Sequence, residues 1–320
     1  MAPDLTIIIV NWNTRDLLRN CLQSIQASTG SLRIQTIVVD NDSKDGSPEM
    51  VRELFPSVEL IKSGGNLGFA RANNLAVPKA ASDLVLFLNP DTEVKPESLE
   101  RMISFIRQNP KVGCLGCKIR DASGEHQELG IQRFPSPFTE LLRLLFFSRK
   151  TQPRLASILP YHNPHISGYV KKLFGACLLV RKSVLDQVGS FDERFFMYCE
   201  DVDLCRRIEA GGWSLYYLSD VEILHLGASA SAKAPGAFAV LMTCQSLSLL
   251  MRKYYGPVGS AAYRSVAFLG ALPRLFLLLV WRCIAILGIA KTNRDLSGTA
   301  EKYLTMAKWS LGLERPQIKN

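Results

Sequence analysis

Short apolar runs alternate with segments of helical periodicity throughout residues 5–119, and this alternation constrains the fold more than any other feature. The apolar runs occupy residues 5–10, 34–39, 58–61, 84–88 and 112–119. Continuous runs rich in Val, Ile and Leu are typical of strands buried on both faces of a parallel sheet. Between them, apolar residues recur at helical spacing, as at Leu18, Leu22 and Ile25. The sequence therefore predicts an α/β protein built from βαβ units, with a mostly parallel sheet flanked by helices.

The chain changes character twice after residue 119. Residues 120–170 contain several prolines and one apolar stretch, which predicts an irregular insertion with a short amphipathic helix. Regular patterns then return: the predicted strands are 173–180, 214–218 and 221–224, and the predicted helices are 183–188 and 201–210. From about residue 230 the sequence becomes strongly apolar. We predict a first domain over residues 1–230 and an apolar helical extension over residues 231–320.

Composition narrows the class of protein. Hydrophobic residues make up 47% and charged residues 21% of the 320, which is typical of a globular chain and excludes a disordered one. The formal net charge of +9 fits an anionic membrane surface, a phosphorylated substrate or ordinary surface charge. Because no basic run is interleaved with aromatics, we expect no nucleic-acid partner.

Cysteine usage and the first residues bear on location. Several of the eight cysteines lie inside apolar runs, as Cys177 does, which is typical of reduced core thiols in a cytosolic protein. Asp4 interrupts the beginning of the chain, so the N-terminus does not match a signal peptide. We therefore expect the first domain to lie in the cytoplasm.

Polar side chains follow four successive predicted strands. They are Asn11 and Asn13 after the first, Asp40, Asn41 and Asp42 after the second, Asn66 after the third, and Asn89 and Asp91 after the fourth. In open α/β sheets, ligands bind in the crevice beyond the carboxyl ends of the strands. Each residue alone also suits an ordinary turn, but the set together predicts a ligand site at this edge.

The loops also indicate the kind of ligand. Neither a G-x-G-x-x-G motif after the first strand nor a Walker P-loop is present, which argues against NAD chemistry and P-loop ATPase chemistry. Asp91, on a turn stiffened by Pro90, suits Mg²⁺ or Mn²⁺ bridging two phosphates, with a plain turn residue as the alternative. His225 closes the last predicted strand, where it is either structural or a Mn²⁺ ligand together with Asp91.

A second acidic cluster consists of Glu200, Asp201 and Asp203 at the start of a predicted helix. Carboxylates in the first turn of a helix are stabilised by the helix dipole, so capping is one interpretation. The other is a general base that accepts the proton of an attacking hydroxyl. Aromatic residues at 195, 196 and 198 could desolvate that base and stack on a sugar.

Five motifs together resemble the family 2 glycosyltransferases with a GT-A fold, in particular the bacterial rhamnosyltransferase-like members. They are IIVNWN at 8–13, VVDNDSKDGS at 38–47, NLGFARANN at 66–74, LNPD at 88–91 and FMYCEDVDLCRR at 196–207. The resemblance covers about residues 4 to 230. It implies a Rossmann-like sheet in which residues 1–119 bind the nucleotide sugar and residues 171–230 supply the acceptor side and the catalytic base.

The resemblance also implies roles for single residues. Asp40 and the region around Asn11 would hold the base and ribose of the donor, while Asn66 and Arg71 would lie near the diphosphate. The donor pocket would also include Asn13, Asn41, Asp42, Gly68, Asn74 and Asn89. Asp91 would bind the cation together with His225, and Asp201 would be the catalytic base, supported by Glu200 and Asp203. Because Asn89 stands where many members have the first aspartate of the metal motif, we expect weaker metal affinity.

The implied reaction is an inverting, metal-dependent transfer to a hydroxyl of a lipid-linked, lipopolysaccharide or polysaccharide acceptor. L-Rhamnose from dTDP-rhamnose is the first candidate, and UDP-hexoses, including UDP-galactofuranose, are the alternatives. Two other classes compete, a sugar-nucleotide nucleotidyltransferase and a non-catalytic nucleotide-sugar-binding protein. The first would need a glycine-rich basic loop after the first strand, and residues 11–15 do not form one.

The apolar segment 265–290 predicts membrane association. Arg274 and Arg282 interrupt it, so no uncharged run reaches the ~18 residues of a spanning helix. With Arg264 they fall within an arc of about 80° on one helical face, which suits a helix in the interface with arginines toward lipid headgroups. We expect Pro273 to kink this helix, and a peripheral location on the inner face of the cell membrane. A helical hairpin buried against the first domain or a homo-oligomer partner is the alternative.

Overall fold

The computed structural model describes residues 2–126, 133–146, 162–226, 236–286 and 297–316. These residues group into two compact units. The first contains the described residues up to 134 and those from 162 to 226, and the second contains 135–146, 236–286 and 297–316.

The described residues form the following elements. The strands are β1 (Leu5–Asn11), β2 (Ile34–Asp40), β3 (Glu59–Lys62), β4 (Leu84–Leu88), β5 (Thr92–Val94), β6 (Val112–Arg120), β7 (Gly168–Val170), β8 (Cys177–Arg181) and β9 (Ser214–His225). The helices are α1 (Arg15–Ala27), α2 (Ser47–Leu54), α3 (Gly68–Ala76), α4 (Ser98–Gln108), α5 (Pro137–Phe146), α6 (Lys182–Val188), α7 (Glu200–Ala210), α8 (Gly236–Ile286) and α9 (Ser297–Ser310). A single 3₁₀ turn, Val77–Lys79, follows α3.

All nine strands of the first unit belong to one sheet of order β3-β2-β1-β4-β8-β6-β9-β5, with β7 paired to β9. The strands β3, β2, β1 and β4 run parallel, as do β6 and β9. The strand β8 runs antiparallel to both β4 and β6, and β5 and β7 run antiparallel to β9. The predicted α/β class with flanking helices is confirmed, and the antiparallel strands follow the parallel half in the chain.

Two buried clusters cover the two faces of the sheet. Ile7 and Ile9 of β1 pack with Leu22 of α1 on one face, while Ile8 packs with Ala70 of α3 on the other. Side chains alternate between the faces of a strand, so a strand covered on both is mostly apolar. All seven residues of β1 are buried, and its two polar residues, Thr6 and Asn11, form hydrogen bonds.

Three of the predicted strand boundaries were wrong. The strand predicted at 173–180 begins at Cys177, because the backbone N–H of Gly175 turns away from the ladder and donates to Asp201. The two strands predicted at 214–218 and 221–224 are one strand, β9, whose register shifts opposite residues 117 and 118. The intervening polar residues form a bulge within the strand and not a turn. The short strands β5 and β7 were not predicted.

The second unit consists of α5, α8 and α9. The backbone of α8 leaves helical geometry at Gly256 (φ 69°, ψ −171°), directly before Pro257. Proline is favoured at the first position of a helix, so a new helical segment starts there. Helical backbone continues through Pro273, where the expected kink stays a prediction, and the break at Gly256 was not predicted.

The arginine face of α8 also differs from the prediction. Arg264 donates from Nε to the carbonyl of Ser310 (3.1 Å) and from Nη2 to that of Trp309 (2.9 Å). Its guanidinium also lies 4.8 Å from the centre of the Trp309 ring, and that of Arg274 lies 5.5 Å from the Tyr303 ring. A cation at the C-terminal carbonyls of a helix is stabilised by the helix dipole. Arg264 and Arg274 therefore face α9, and the prediction that they point toward lipid headgroups was wrong.

One helix in the described part of the chain, spanning Ala237–Ile284, is long and apolar enough to cross a membrane by length and composition alone. Only 17% of its most apolar window is buried. Large apolar side chains on its second half are exposed, and these are Leu269, Leu272, Phe276, Leu277, Leu279, Val280 and Trp281.

Candidate active site

Asn11 and Asp40 lie side by side at the carboxyl ends of β1 and β2, as their parallel register requires. Both are buried. The Asn11 Nδ2 group donates to Asp40 Oδ1 (3.1 Å) and to Ser43 Oγ (3.0 Å), and Asn11 Oδ1 accepts from the Thr14 hydroxyl (2.6 Å). The backbone N–H of Ser43 donates to Asp40 Oδ2 (3.0 Å). These bonds shape the two loops that follow β1 and β2 and fix them to each other.

Asn13 and Asp42 both adopt left-handed backbone conformations in these loops, with φ of 56° and 67°. The backbone N–H of Asn13 donates to Ser43 Oγ (2.9 Å), and its Oδ1 accepts from the N–H of Lys44 (2.7 Å). Asp42 remains exposed beside the Lys44 ammonium group, at 2.7 Å. Asparagine and aspartate tolerate this conformation better than most residues, which accounts for their use here.

The amide of Asn41 fixes the loop that leads into α3. Its Oδ1 accepts from the backbone N–H of Leu67 (2.9 Å), and its Nδ2 donates to Asn66 Oδ1 (2.9 Å) and to the carbonyl of Gly68 (3.2 Å). Asn66 Oδ1 also accepts from the N–H of Gly68 (3.1 Å). The structure therefore brings Asn41, Asn66 and Gly68 together at the same sheet edge as Asn11 and Asp40.

Two other predicted donor residues lie further along α3, beside the loop that follows α6. The Nδ2 group of Asn74 donates to the carbonyl of Phe191 (2.8 Å) and to Glu193 Oε1 (3.1 Å), and its Oδ1 accepts from the Phe191 N–H (3.1 Å). Arg71 is exposed, with Nε 3.9 Å from Glu193 Oε2. Both side chains contact this loop, and their part in donor binding stays a prediction.

Asp91 and His225 meet where β5 pairs with the end of β9. Thr92 is the register partner of His225, and the N–H of Leu226 donates to the carbonyl of Asp91 (2.9 Å). Asp91 Oδ1 lies 3.2 Å from His225 Nε2, and Asn89 Nδ2 lies 3.4 Å from the same nitrogen. Both Asp91 and His225 side chains are largely enclosed, with 9% and 14% exposure.

This pair fits a divalent cation. A carboxylate oxygen and an imidazole nitrogen only 3.2 Å apart form the mixed donor set that Mn²⁺ accepts. Within the described ranges, no group of three or more His, Cys, Asp or Glu side chains could hold a metal. A cation here would therefore keep open positions for oxygens of a ligand such as a diphosphate.

Asp201 lies in the first turn of α7 and is held by two backbone groups. Its Oδ2 accepts from the N–H of Gly175 (2.9 Å), and its Oδ1 accepts from the N–H of Val202 (2.7 Å). Burial raises the pKa of Asp201, while these two hydrogen bonds and the charge of Lys172 oppose the increase. A raised pKa suits a group that has to accept a proton.

The two other acids of the cluster differ from Asp201. Glu200 is 6% exposed, and its Oε2 has no hydrogen-bond partner among the described residues. Burial, and after it the charge of Asp201, raises the pKa of Glu200. Asp203 is fully buried and accepts from Nε of Arg207 (2.8 Å), whose other nitrogens donate to carbonyls at 188, 189 and 190. Asp203 thus anchors α7 to the end of α6.

Two successive residues, Gly175 and Ala176, form hydrogen bonds with Asp201 of α7 and with Asn89 at the end of β4. Gly175 donates to Asp201, and the carbonyl of the next residue, Ala176, accepts from the N–H of Asn89 (3.0 Å). Consecutive Cα atoms are ~3.8 Å apart, so this segment joins the LNPD turn to the catalytic-base candidate over a short span. Gly175 and Ala176 had not been singled out, although a glycine inside an apolar run is a recognised signal for close approach.

Comparisons with known proteins agree with this architecture. Residues 6–178 match the model of the family Glycosyl transferase family 2. Over 254 residues the chain is 31% identical to the N-acetylglucosaminyl-diphospho-decaprenol L-rhamnosyltransferase of Mycobacterium tuberculosis, covering 74% of this chain and 80% of that protein. It is 28% identical to the rhamnosyltransferase WbbL of Escherichia coli, over 68% of this chain and 82% of WbbL.

Among solved structures, the mannosyltransferase PcManGT from Pyrobaculum calidifontis, in complex with GDP-Man and Mn²⁺, has a TM-score of 0.56 at 17% identity. The match covers 97% of this chain and 88% of that one. The fold is therefore the GT-A fold. The chain belongs to glycosyl transferase family 2 and is a glycosyltransferase with rhamnosyltransferase relatives, which confirms the family and the enzyme class predicted from its motifs.

Proposed function

We propose that this protein transfers L-rhamnose from dTDP-rhamnose, with inversion, to a hydroxyl of a lipid-linked saccharide. One observation carries the proposal, which is that the metal-site candidates and the candidate base are held by neighbouring residues. Asp201 accepts a hydrogen bond from Gly175, and Asn89, which lies beside the Asp91–His225 pair, donates to the carbonyl of Ala176. The donor sugar and the acceptor class are supported by the names of two relatives, an L-rhamnosyltransferase acting on a diphospho-decaprenol and the rhamnosyltransferase WbbL. A UDP-hexose or UDP-galactofuranose donor is the alternative within the same fold.

The donor is proposed to lie over the carboxyl ends of β1, β2 and β4. The exposed carboxylate of Asp42 and the enclosed edge formed by Asn11 and Asp40 suit the base and ribose of a nucleotide, as ligands in open α/β sheets bind at this edge. Asn66 lies in the turn just before α3, and the partial positive charge at the N-terminal end of a helix favours anions such as a diphosphate.

Asp91 and His225 are proposed to hold a Mn²⁺ or Mg²⁺ ion, with Asn89 beside them. When bound, the cation would supply positive charge to the leaving diphosphate. The solved mannosyltransferase that shares the fold contains Mn²⁺, which supports the choice of metal.

Asp201 is proposed to accept the proton of the acceptor hydroxyl. That oxygen forms a bond to the anomeric carbon on the face opposite the diphosphate, and the bond between this carbon and the diphosphate oxygen breaks. The N–H groups of Gly175 and Val202 fix the carboxylate in place, so that it does not have to reorganise during the reaction. Because burial raises the pKa of Asp201, activity should rise as the pH increases through that pKa.

The acceptor side suggests where the enzyme works. A diphospho-polyprenol is a membrane lipid, and the exposed apolar side chains of α8 support attachment of the protein to the inner face of the cell membrane. A relative named for polysaccharide synthesis, the succinoglycan biosynthesis protein ExoO of Rhizobium meliloti, supports a role in making cell-envelope polysaccharides.

A transfer assay tests the proposal. We expect the full-length protein with Mn²⁺ to transfer L-rhamnose from dTDP-rhamnose to N-acetylglucosaminyl-diphospho-decaprenol, with EDTA abolishing turnover. Asp201→Asn should lower kcat by ~10²-fold or more while donor binding, measured as thermal stabilisation, stays nearly unchanged. Full activity of Asp201→Asn would rule out its role as base, and stabilisation only by UDP-sugars would rule out the rhamnosyl donor.

A further inference from the structure

The backbone of Gly68 at the start of α3 touches the backbone of Phe196 in the loop that leads to α7. The N–H of the next residue, Phe69, donates to the carbonyl of Phe196 (2.7 Å). A Cβ atom on residue 68 would lie 2.3 Å from that carbonyl oxygen and 2.7 Å from Cδ2 of the Phe196 ring. Gly68 also has a φ of +79°, so only glycine fits both the conformation and the contact.

Both sides of this contact are held firmly. On the α3 side, the Asn41 and Asn66 amides bond to residues 67 and 68, as described above. On the loop side, Asn74 holds Phe191 by two hydrogen bonds, and the Phe191 ring packs edge-on against Phe69 and Phe87. The α3 side therefore cannot shift without breaking several hydrogen bonds, and the loop is anchored five residues before Phe196.

The loop continues from Phe196 directly into the acidic cluster. Tyr198 and Cys199 both adopt left-handed conformations, with φ of 69° and 67°, and α7 begins at Glu200. Such conformations are uncommon for residues other than glycine and persist only where surrounding contacts impose them. The Phe196 carbonyl is thus a fixed backbone contact two residues before this strained turn, which leads into α7 and Asp201.

We propose that Gly68 is a positioning residue for Asp201: its missing side chain lets Phe196 approach α3, and this approach sets the place of the base against Gly175. The inference rests on the proposed role of Asp201. A displacement of about 1 Å at a reacting group can lower a rate by ~10²-fold, so a side chain at position 68 acts on turnover and not on donor affinity.

The chain offers a matched control in Gly64. Its φ of +78° equals that of Gly68, but no described atom lies within 4 Å of a Cβ built on it. Alanine at either position would be strained by the positive φ. Only the Cβ atom of Gly68→Ala would also clash with Phe196. We expect Gly68→Ala to lower kcat by ~10- to 100-fold relative to Gly64→Ala. The KM for dTDP-rhamnose and the thermal stabilisation by dTDP with Mn²⁺ should agree within about two-fold between the variants, which a merely structural loss would not produce.

A second pair serves if Gly68→Ala does not fold. Phe69→Ala and Phe69→Pro both lose the ring, but only proline also loses the N–H that bonds to Phe196, and proline is tolerated in the first turn of a helix. A lower kcat for Phe69→Pro than for Phe69→Ala, at equal dTDP binding, supports the inference.

Equal kcat values within each pair would overturn it. If Asp201→Asn is inactive and Gly68→Ala equals Gly64→Ala, only the positioning role fails. If Asp201→Asn stays active, the proposed mechanism fails whatever the glycine variants do.

Discussion

Glu200 carries a carboxyl group that the fold keeps out of water beside a second carboxyl group. The pKa of Glu200 is raised, first by burial and then by the charge of Asp201. The side chain therefore holds a proton in the folded protein under conditions where the unfolded chain releases it. A neutral neighbour spares Asp201 a second negative charge in the same pocket, which would otherwise raise its proton affinity further.

This state of Glu200 predicts how stability depends on pH. Above the ordinary pKa of glutamate, the folded state binds more protons than the unfolded state, so the free energy of unfolding falls as pH rises toward the raised pKa. Glu200→Gln removes this dependence without changing the shape of the side chain. We expect the difference in free energy of unfolding between the variant and the wild type to increase in favour of the variant. The increase should be up to about 1.4 kcal/mol for each pH unit in that window.

Urea unfolding at a series of pH values from 5 to 9 would measure this difference. Glu100→Gln, at an exposed position of α4, is the matched control, and its difference from the wild type should stay constant. A constant difference for Glu200→Gln as well would mean that Glu200 is not held protonated.

At the scale of elements, the sequence predicted the parts that depend on local pattern. The runs that became β1, β2 and β4 are mostly apolar because both faces of the sheet are covered, and their ends predicted Asn11, Asp40 and Asp91 at one edge. His225 followed from the position where a strand ends. These signals are local, and no packing detail was needed to use them.

Contacts between distant residues could not be predicted in this way. Phe196 meets Gly68 through its backbone carbonyl, which leaves no mark in the choice of side chain at 196. The spacing of Arg264, Arg274 and Arg282 places them on one face of a helix. The direction of the Arg264 side chain, however, depends on its contact with the end of α9, which is 45 and 46 residues further along the chain. The strand β5 has three residues and shows too little periodicity to be recognised.

The break in α8 gives a prediction at this scale. Gly256 has a φ of 69°, and no described atom lies within 4 Å of the position that a Cβ atom would take there. Gly298 in α9 has equally open surroundings but no positive φ. Gly256→Ala should destabilise by ~1 kcal/mol through backbone strain, and Gly298→Ala should stabilise by up to ~1 kcal/mol because alanine favours helix.

Urea unfolding of each variant and of the wild type, monitored by far-UV circular dichroism, measures the two changes in the free energy of unfolding. We expect these changes to have opposite signs. Stabilisation by Gly256→Ala would mean that the helix runs straight through residue 256 and that the break is not part of the folded protein.

On the scale of the whole molecule, the chemistry and the exposed apolar surface belong to different units. The candidate site residues all lie in the first unit, whereas the exposed apolar side chains of α8 lie in the second. An apolar surface of this kind marks an interaction site in a soluble protein. A lipid-linked acceptor makes a bilayer the occupant that also serves the proposed reaction.

We therefore predict that the full-length protein binds vesicles containing phosphatidylglycerol through this part of α8. Phe276 and Leu277 are each 64% exposed, and Phe276→Glu with Leu277→Glu should weaken vesicle binding by about 10²-fold or more, since burial of each side chain contributes ~1.5–3 kcal/mol. Leu54→Glu on α2, where leucine is 54% exposed, adds a charge to the first unit and should leave binding unchanged. Equal binding of the two variants in a sedimentation assay would contradict a bilayer contact at α8. Loss of self-association in the α8 variant, without any lipid dependence, would assign the surface to a second copy of the chain instead.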